Sequence, residues 1–257
     1  VFKLGNGTRQ GGVLSPWFFT RYIRDLLMAV INSGVGCNVG GMFVNILAYA
    51  DDIVVIAPSY QGLQHLLNLI ETCSREINME INVAKTVCMV FNPTNRSRIV
   101  SAEFPALNIG VQSLKYVNSF KYLGHRLSDT SSDDEDIQHE ISNMFIRTNI
   151  LIRRFYKCSV AVKIVLFKSF CLCLYGVSQW QRYNLKLINR LKSCYNRCIK
   201  LFFGYKRRDS MSNLLLSLGL PSLNTLLFNS AHLFRQKWKS CNNNIIKHFD
   251  VIQMSFM

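Results

Sequence analysis

Acidic residues are scarce in this sequence, most of all in its second half. The 257 residues contain 15 Asp and Glu against 30 Lys and Arg, which gives a formal net charge of +15. From Phe145 to the C-terminus, 19 Lys and Arg accompany only Asp209 and Asp250. A field of this sign attracts polyanions, and nucleic acid is the commonest polyanion inside cells. The alternative is an ordinary set of solvated helix faces.

Other missing features narrow the class of protein further. The sequence has no low-complexity tract and no signal peptide, and its nine cysteines are irregularly spaced. We therefore expect a globular intracellular protein of the cytoplasm and nucleus with reduced thiols. No Cys-x-x-Cys pair has a correctly spaced His, which argues against a zinc knuckle. The apolar residues 159–180 include Lys163 and Lys168, so we expect a buried helix and no membrane partner.

Two adjacent acids, Asp51 and Asp52, stand between two apolar runs. Residues 42–49 and 53–57 have the length and the β-branched content of buried strands, and Ala50 begins the turn between them. The pattern predicts a hairpin that holds two carboxylates at its tip against a dry interior. Because buried carboxylates are costly without a partner, this arrangement calls for a cation. The alternative is a solvated Asp-Asp turn.

Hydrophobic periodicity predicts an α+β front part and an all-helical back part. Helices are expected after Ser15 and Ser59, and short strands over residues 80–91 and 99–127. Ser132 with Glu135 fits a capping box at the start of the next helix. These patterns predict two domains, residues 1–128 and 129–257. In the second domain, further helices are expected over residues 159–175, 185–203, 211–218 and 223–239.

Four short strings follow one another along the chain. They are Arg9-Gln10-Gly11-Gly12-Val13-Leu14-Ser15-Pro16, Leu47-Ala48-Tyr49-Ala50-Asp51-Asp52, Asn82-Val83-Ala84-Lys85-Thr86 and Phe120-Lys121-Tyr122-Leu123-Gly124. Their order and spacing resemble the reverse transcriptase of non-LTR (LINE-type) retrotransposons, strongly over residues 5–127. The resemblance implies a partial polymerase palm, an antiparallel sheet with packed helices and a Tyr-Ala-Asp-Asp hairpin. An all-helical, basic, thumb-like subdomain would follow it.

The resemblance also implies roles for single residues. Asp51 and Asp52 match the paired carboxylates of the palm, with Asp51 the principal and Asp52 the secondary ligand of two Mg²⁺ ions. Two such ions clamp both oxygens of an in-line phosphoryl transfer. Lys85 matches a lysine near the departing phosphates. Arg9, Gln10, Gly11 and Tyr49 match residues that contact the template, the nucleotide or the primer end, and Phe120, Lys121, Tyr122, Leu123 and Gly124 resemble the primer grip.

Each of these side chains also has an ordinary structural interpretation. Arg9, Gln10 and Lys85 could be exposed loop residues, and Tyr49 a half-buried strand tyrosine. Polymerases of the family need a third carboxylate from an upstream strand and a fingers subdomain. Asp25 is the only acidic residue before the hairpin, and it lies inside a predicted helix. We therefore expect an incomplete metal site in a C-terminal portion of a larger polymerase that is inactive alone.

The partners that the resemblance implies are an RNA template, a DNA primer, deoxynucleoside triphosphates, and the upstream fingers and first palm segment of the parent protein. One alternative is a non-catalytic nucleic-acid-binding relic of such a polymerase. Another is a reverse transcriptase of the group II intron or retron type, which shares the Tyr-Ala-Asp-Asp core. Residues 206–222 are similar to the region after the polymerase core of LINE-type elements and favour that type.

Overall fold

The computed structural model describes residues 11–91 and 103–255, with side chains up to residue 250. The chain divides into two compact units. Among the described residues, the first unit holds residues 11–89, 103–117 and 251–255, and the second holds residues 90–91 and 118–250. The α+β character is confirmed, since the first unit mixes helices with small sheets and the second is mostly helical. The palm and thumb labels stay predictions.

The first unit begins with two short helices and ends in paired short strands. Its β3 and β4 form an antiparallel pair, as do β1 with β2 and β6 with β7, whereas β5 and β8 pair in parallel. The elements are α1 Ser15–Tyr22, α2 Arg24–Ile31, β1 Cys37–Val39, β2 Met42–Val44, β3 Ile46–Tyr49, β4 Asp52–Val55, α3 Tyr60–Glu76, β5 Val87–Cys88, β6 Asn108–Ile109, β7 Gln112–Ser113 and β8 Lys115–Tyr116.

The β3–β4 pair is supported by α2 and α3. Leu26 and Val30 of α2 are buried together with Leu66 and Ile70 of α3, and one face of the β3–β4 pair packs on this cluster. The side chain of Ser59 accepts a hydrogen bond from the backbone of Gly62 and so begins α3 as the sequence predicts. Strand structure over residues 80–91 is limited to β5, because a turn occupies residues 83–85.

The second unit is a hairpin followed by helices. The helices expected over residues 185–203, 211–218 and 223–239 are confirmed, and the helix expected over residues 159–175 ends at Cys171. Its elements are β9 Ser119–Tyr122, β10 His125–Ser128, α4 Asp134–Phe155, α5 Val160–Cys171, a 3₁₀ turn Val177–Gln179, α6 Leu185–Phe203, α7 Met211–Leu218 and α8 Leu223–Lys239; α9, Asn244–Ser255, begins here and was not predicted.

The core of the second unit forms where α4 packs on α6. Ile137 and Met144 of α4 meet Leu191, Tyr195 and Phe202 of α6, and all five are nearly inaccessible to solvent. Both helices bury an apolar stripe at helical spacing, as their sequences predict. The left-handed conformation of Gly204, with φ of 79°, ends α6.

The predicted capping box at α4 is wrong. Asp133 stands at the N-cap position, and its carboxylate accepts hydrogen bonds from the backbone of Gln181 and Arg182 at 2.7 and 2.8 Å. The carboxylate of Glu135 instead accepts from the hydroxyl of Ser119. The helix begins one residue later than the box requires, with Asp133 rather than Ser132 at the N-cap, and its first acids bind residues outside the helix.

The prediction that α5 is a buried helix holds for one face alone. Phe167 and Cys171 are fully buried, whereas Val162 and Val165 are 46% and 63% exposed. Within the described residues, no single helix is long and apolar enough to cross a membrane. Only α7 and α8 together reach such a length and apolar character, and they are bent by 58° relative to each other.

Candidate functional site

The two adjacent acids lie at the tip of the β3–β4 hairpin. Tyr49 pairs directly with Asp52, and the loop between the strands consists of Ala50 and Asp51. The backbone of Ala50 is left-handed, with φ of 52°, which is costly for a residue with a Cβ atom. The tight loop thus places two carboxylates on consecutive residues at the end of a supported hairpin.

The expectation of a dry interior around the acids is wrong. Both carboxylates are exposed, and Tyr49 is 66% exposed. The reason is the small size of the sheet, since β3 and β4 form a two-stranded sheet with helices on one face. Asp51 lies in the loop, so the alternation of side chains along a strand does not determine which way it points. Asp52, and not Asp51, is the residue paired with Tyr49 across the two strands.

Asn45 fixes the base of this hairpin. It is 3% exposed, and its side-chain amide donates hydrogen bonds to the carbonyl oxygens of Val30, at the end of α2, and Val35, the latter at 2.9 Å. The backbone carbonyl of Asn45 accepts a hydrogen bond from the backbone N–H of Ile56 at 2.8 Å. Gly36 makes this approach possible, because a Cβ atom there would lie 2.6 Å from that of Asn45. Sequence reasoning missed Asn45; its signal is a polar residue interrupting the apolar run 42–49.

The other predicted residues of the first unit lie in loops. Lys85 is exposed in a turn in which its backbone N–H bonds to Asn82 at 3.1 Å. In the described part of the chain, no hydrogen bond or ion pair joins Lys85 to Asp51 or Asp52. Gly11 precedes α1 with φ of 79°. Arg9 and Gln10 lie outside the described residues.

The oxygen donors of Asp51 and Asp52 suit a hard divalent cation. Mg²⁺ commonly binds one or two carboxylates and completes its shell with water and substrate phosphates. Residues 11–91 and 103–255 contain no group of three His, Cys, Asp or Glu side chains arranged to hold a metal ion. The pair therefore fits an exposed, partly protein-bound cation and does not form a closed metal cage.

The predicted primer-grip residues lie in the β9–β10 hairpin of the second unit. Tyr122 pairs with His125, and the two loop residues, Leu123 and Gly124, both have positive φ angles of 46° and 90°. A two-residue loop with positive φ angles matches the right-handed twist of the two strands that it joins. Lys121 is exposed and Phe120 is 36% exposed, so the hairpin presents a basic and an aromatic side chain to solvent.

A buried carboxylate of α4 holds this hairpin in place. Asp136 is 4% exposed and accepts hydrogen bonds from the indole of Trp180 at 2.8 Å and from the backbone of Arg126 at 3.0 Å. Nδ1 of His125 lies 3.0 Å from the same carboxylate. A Cβ atom on Gly176 would lie 1.6 Å from Nε2 of His125, so the chain packs tightly on the ring.

The first unit thus combines helices and small sheets with a hairpin that carries two adjacent carboxylates at its tip. Residues 1–127 match the family model of reverse transcriptase (RNA-dependent DNA polymerase), and this part of the chain belongs to the reverse transcriptases of non-LTR retrotransposons.

Curated relatives come from retrotransposable elements. The chain is 31% identical over 132 residues to the retrovirus-related Pol polyprotein from type-2 retrotransposable element R2DM of Drosophila melanogaster. The match covers 50% of this chain and 12% of that protein. Identity is 25% over 149 residues to the type-1 element R1 polyprotein of Nasonia vitripennis, covering 54% of this chain and 40% of the relative. The matches thus span less than half of these relatives.

Proposed function

We propose that the β3–β4 hairpin is the metal-holding element of an RNA-directed DNA polymerase that acts in retrotransposition. The observation that carries the proposal is the placement of Asp51 in the two-residue loop and of Asp52 at the start of β4, on a hairpin that packs on α2 and α3. Their carboxylates would hold Mg²⁺, which when bound activates a primer hydroxyl and neutralises the departing phosphates. Asp51 is the principal and Asp52 the secondary ligand.

Other residues of the chain would position the nucleic acid and the nucleotide. Tyr49, next to the tip, offers an exposed ring to the primer end, and Lys85 offers a cation to the departing phosphates. Arg9, Gln10 and Gly11 would contact the templating pair, and the exposed side chains of the β9–β10 hairpin would hold the primer. The partners are an RNA template, a DNA primer and deoxynucleoside triphosphates.

Metal binding at the hairpin is tested by titrating the chain with Mn²⁺ and measuring paramagnetic broadening of backbone signals. We expect broadening centred on residues 50–53, lost in Asp51→Asn and weakened in Asp52→Asn. Glu80→Gln is the matched control, because Glu80 is also an exposed acid of the first unit. Equal broadening in Asp51→Asn and Glu80→Gln would show that the tip is no metal site.

We further propose that residues 1–257 alone do not polymerise. Two carboxylates stand at the tip, whereas the family resemblance implies three, the third being supplied from the parent protein's upstream palm segment. In a primer-extension assay with an RNA template and Mg²⁺, the purified chain is expected to incorporate no nucleotide. Templated incorporation that disappears in Asp51→Ala would contradict this proposal.

A second candidate function is nucleic-acid binding without catalysis. It rests on the segment between Glu140 and Asp209, which contains no acid and many exposed Lys and Arg. Release of counterions from phosphates predicts that affinity for an RNA–DNA hybrid falls steeply with salt. Affinity that is the same at low and high salt would rule this function out.

The R1 and R2 relatives favour the LINE type over group II intron or retron enzymes.

A further inference from the structure

Lys163 is a lysine on the buried face of α5. It is 8% exposed, while Val162 and Val165 of the same helix face solvent. This arrangement is the reverse of an ordinary surface helix, where lysines face water and valines face the core. Burying a cation is costly unless an anion or hydrogen-bond acceptor compensates for the lost water.

The compensation inside the chain comes from aromatic rings. Nζ of Lys163 lies 4.9 Å from the ring centroid of Tyr156 and 5.5 Å from that of Phe202. Across the described residues, no carboxylate forms an ion pair with this ammonium group and no hydrogen bond from it is present. Aromatic faces attract the charge, but they leave its N–H donors without a strong acceptor.

The first turn of α5 adds further donors at the same place. The helix has 12 residues, and the side chain of its N-cap, Ser159, makes no capping hydrogen bond. The first backbone bond across this end runs from the N–H of Lys163 to the carbonyl of Ser159 at 3.0 Å. The N–H groups of the three preceding residues therefore have no partner in the helix, and the helix dipole makes this end positive.

Lys163 is the fourth residue of α5, from where its ammonium group can reach the start of the helix. Side chains on helices lean towards the N-terminal end, and Tyr156, over which Nζ lies, precedes Ser159 by three residues. The ring of Tyr156 is 59% exposed, so the cation lies close beneath the surface. Exposed Arg153, Arg154 and Lys157 come just before this turn in the sequence.

We propose that Lys163 and the N–H groups of the first turn of α5 form a phosphate-binding site. A helix start with an added cation is suited to a tetrahedral anion. The phosphate is a nucleic-acid phosphodiester or a free phosphate ion. The site rests on the proposed function only for the nucleic-acid source, because it lies in the second unit and uses none of the hairpin residues.

The first arm of the test measures thermal unfolding of the full chain in sodium phosphate and in sodium chloride of equal ionic strength. Phosphate is expected to raise the Tm of the wild type and of Lys163→Arg. Lys163→Met should show no phosphate-dependent rise, while its Tm in chloride equals or exceeds that of the wild type, because an apolar side chain suits the buried position. Lys168→Met, which removes an exposed lysine of the same helix, should keep the full response.

The second arm measures affinity for an RNA–DNA hybrid as a function of salt. Lys163→Met should weaken binding about tenfold, as expected for a charge-assisted hydrogen bond, and should lower the salt slope by about one. A loss in both arms identifies a nucleic-acid phosphate, and a loss with inorganic phosphate alone identifies a free phosphate ion. If Lys163→Met and Lys168→Met behave alike in both arms, the proposal is overturned. Neither arm involves primer extension or a divalent metal, so its failure is separate from that of the hairpin proposal.

Discussion

Replacing Asp136 by Ala should destabilise the second unit more than any change at its surface. The carboxylate is 4% exposed and accepts from the indole of Trp180, the backbone of Arg126 and the imidazole of His125. Each hydrogen bond to a charged group contributes about 1.5–3 kcal/mol, and buried donors left unpaired add a penalty. Because such losses are not additive, we expect a total of about 3–5 kcal/mol.

The assay is urea unfolding followed by the fluorescence of Trp180, in a chain where Trp17 and Trp238 are replaced by Phe. Asp136→Asn keeps one acceptor oxygen and should cost about half as much as Asp136→Ala. Asp134→Ala is the matched control, since Asp134 accepts a single backbone hydrogen bond from Asn184 at 2.7 Å; we expect about 1 kcal/mol. If Asp136→Ala lowers the free energy of unfolding by no more than the about 1 kcal/mol expected of Asp134→Ala, the carboxylate does not anchor the hairpin.

Three further changes test other parts of the structure. Gly176→Ala should cost several times more free energy of unfolding than Gly219→Ala, because the new Cβ atom meets His125 at 1.6 Å whereas Gly219 faces open space; equal Tm losses would contradict the packing. Ala50→Gly should stabilise the first unit by about 1 kcal/mol by relieving the positive φ angle, and an unchanged urea midpoint would contradict that strain. Burial raises the pKa of the Cys88 thiol to about 11, so alkylation of Cys88 should become fast only as the pH approaches that value, and rapid labelling near pH 8 would contradict its burial. Because the pKa of Cys88 is higher in the folded state, the contribution of its neutral thiol to the free energy of unfolding is intact below the unfolded pKa near 9 and is lost as the pH rises through 11.

The sequence predicts local elements well where local chemistry decides them. Helix α6 begins at Leu185 and ends before Gly204 because an apolar stripe at helical spacing is followed by a residue that readily adopts a left-handed backbone. Ser222 caps α8 with a hydrogen bond from Thr225 at 3.1 Å for the same kind of reason. The hairpin with Asp51 and Asp52 at its tip is also readable, since β-branched runs flank a short turn.

Contacts between distant residues could not be read in this way. The binding of Asp133 to residues 181 and 182 joins positions about fifty apart, which hydrophobic periodicity does not encode. The exposure of Tyr49 depends on how many strands the sheet contains, and a half-exposed strand has the same β-branched content as a buried one. The inward position of Lys163 follows from the rings of Tyr156 and Phe202, the second of which lies 39 positions away in the chain.

The acids at the start of α4 also set an order of events during protein synthesis. The β9–β10 hairpin joins neighbouring residues and can form as soon as it leaves the ribosome. The backbone donors that bind Asp133 and Asp134 belong to residues 181, 182 and 184, so they are translated seconds later, at about 5–20 residues per second. Until then the nascent chain carries an acidic helix start without its partners, beside a growing excess of Lys and Arg. A nascent chain arrested before residue 181 should therefore expose a partly ordered α4, and one in which residue 203 has left the ribosome should protect it.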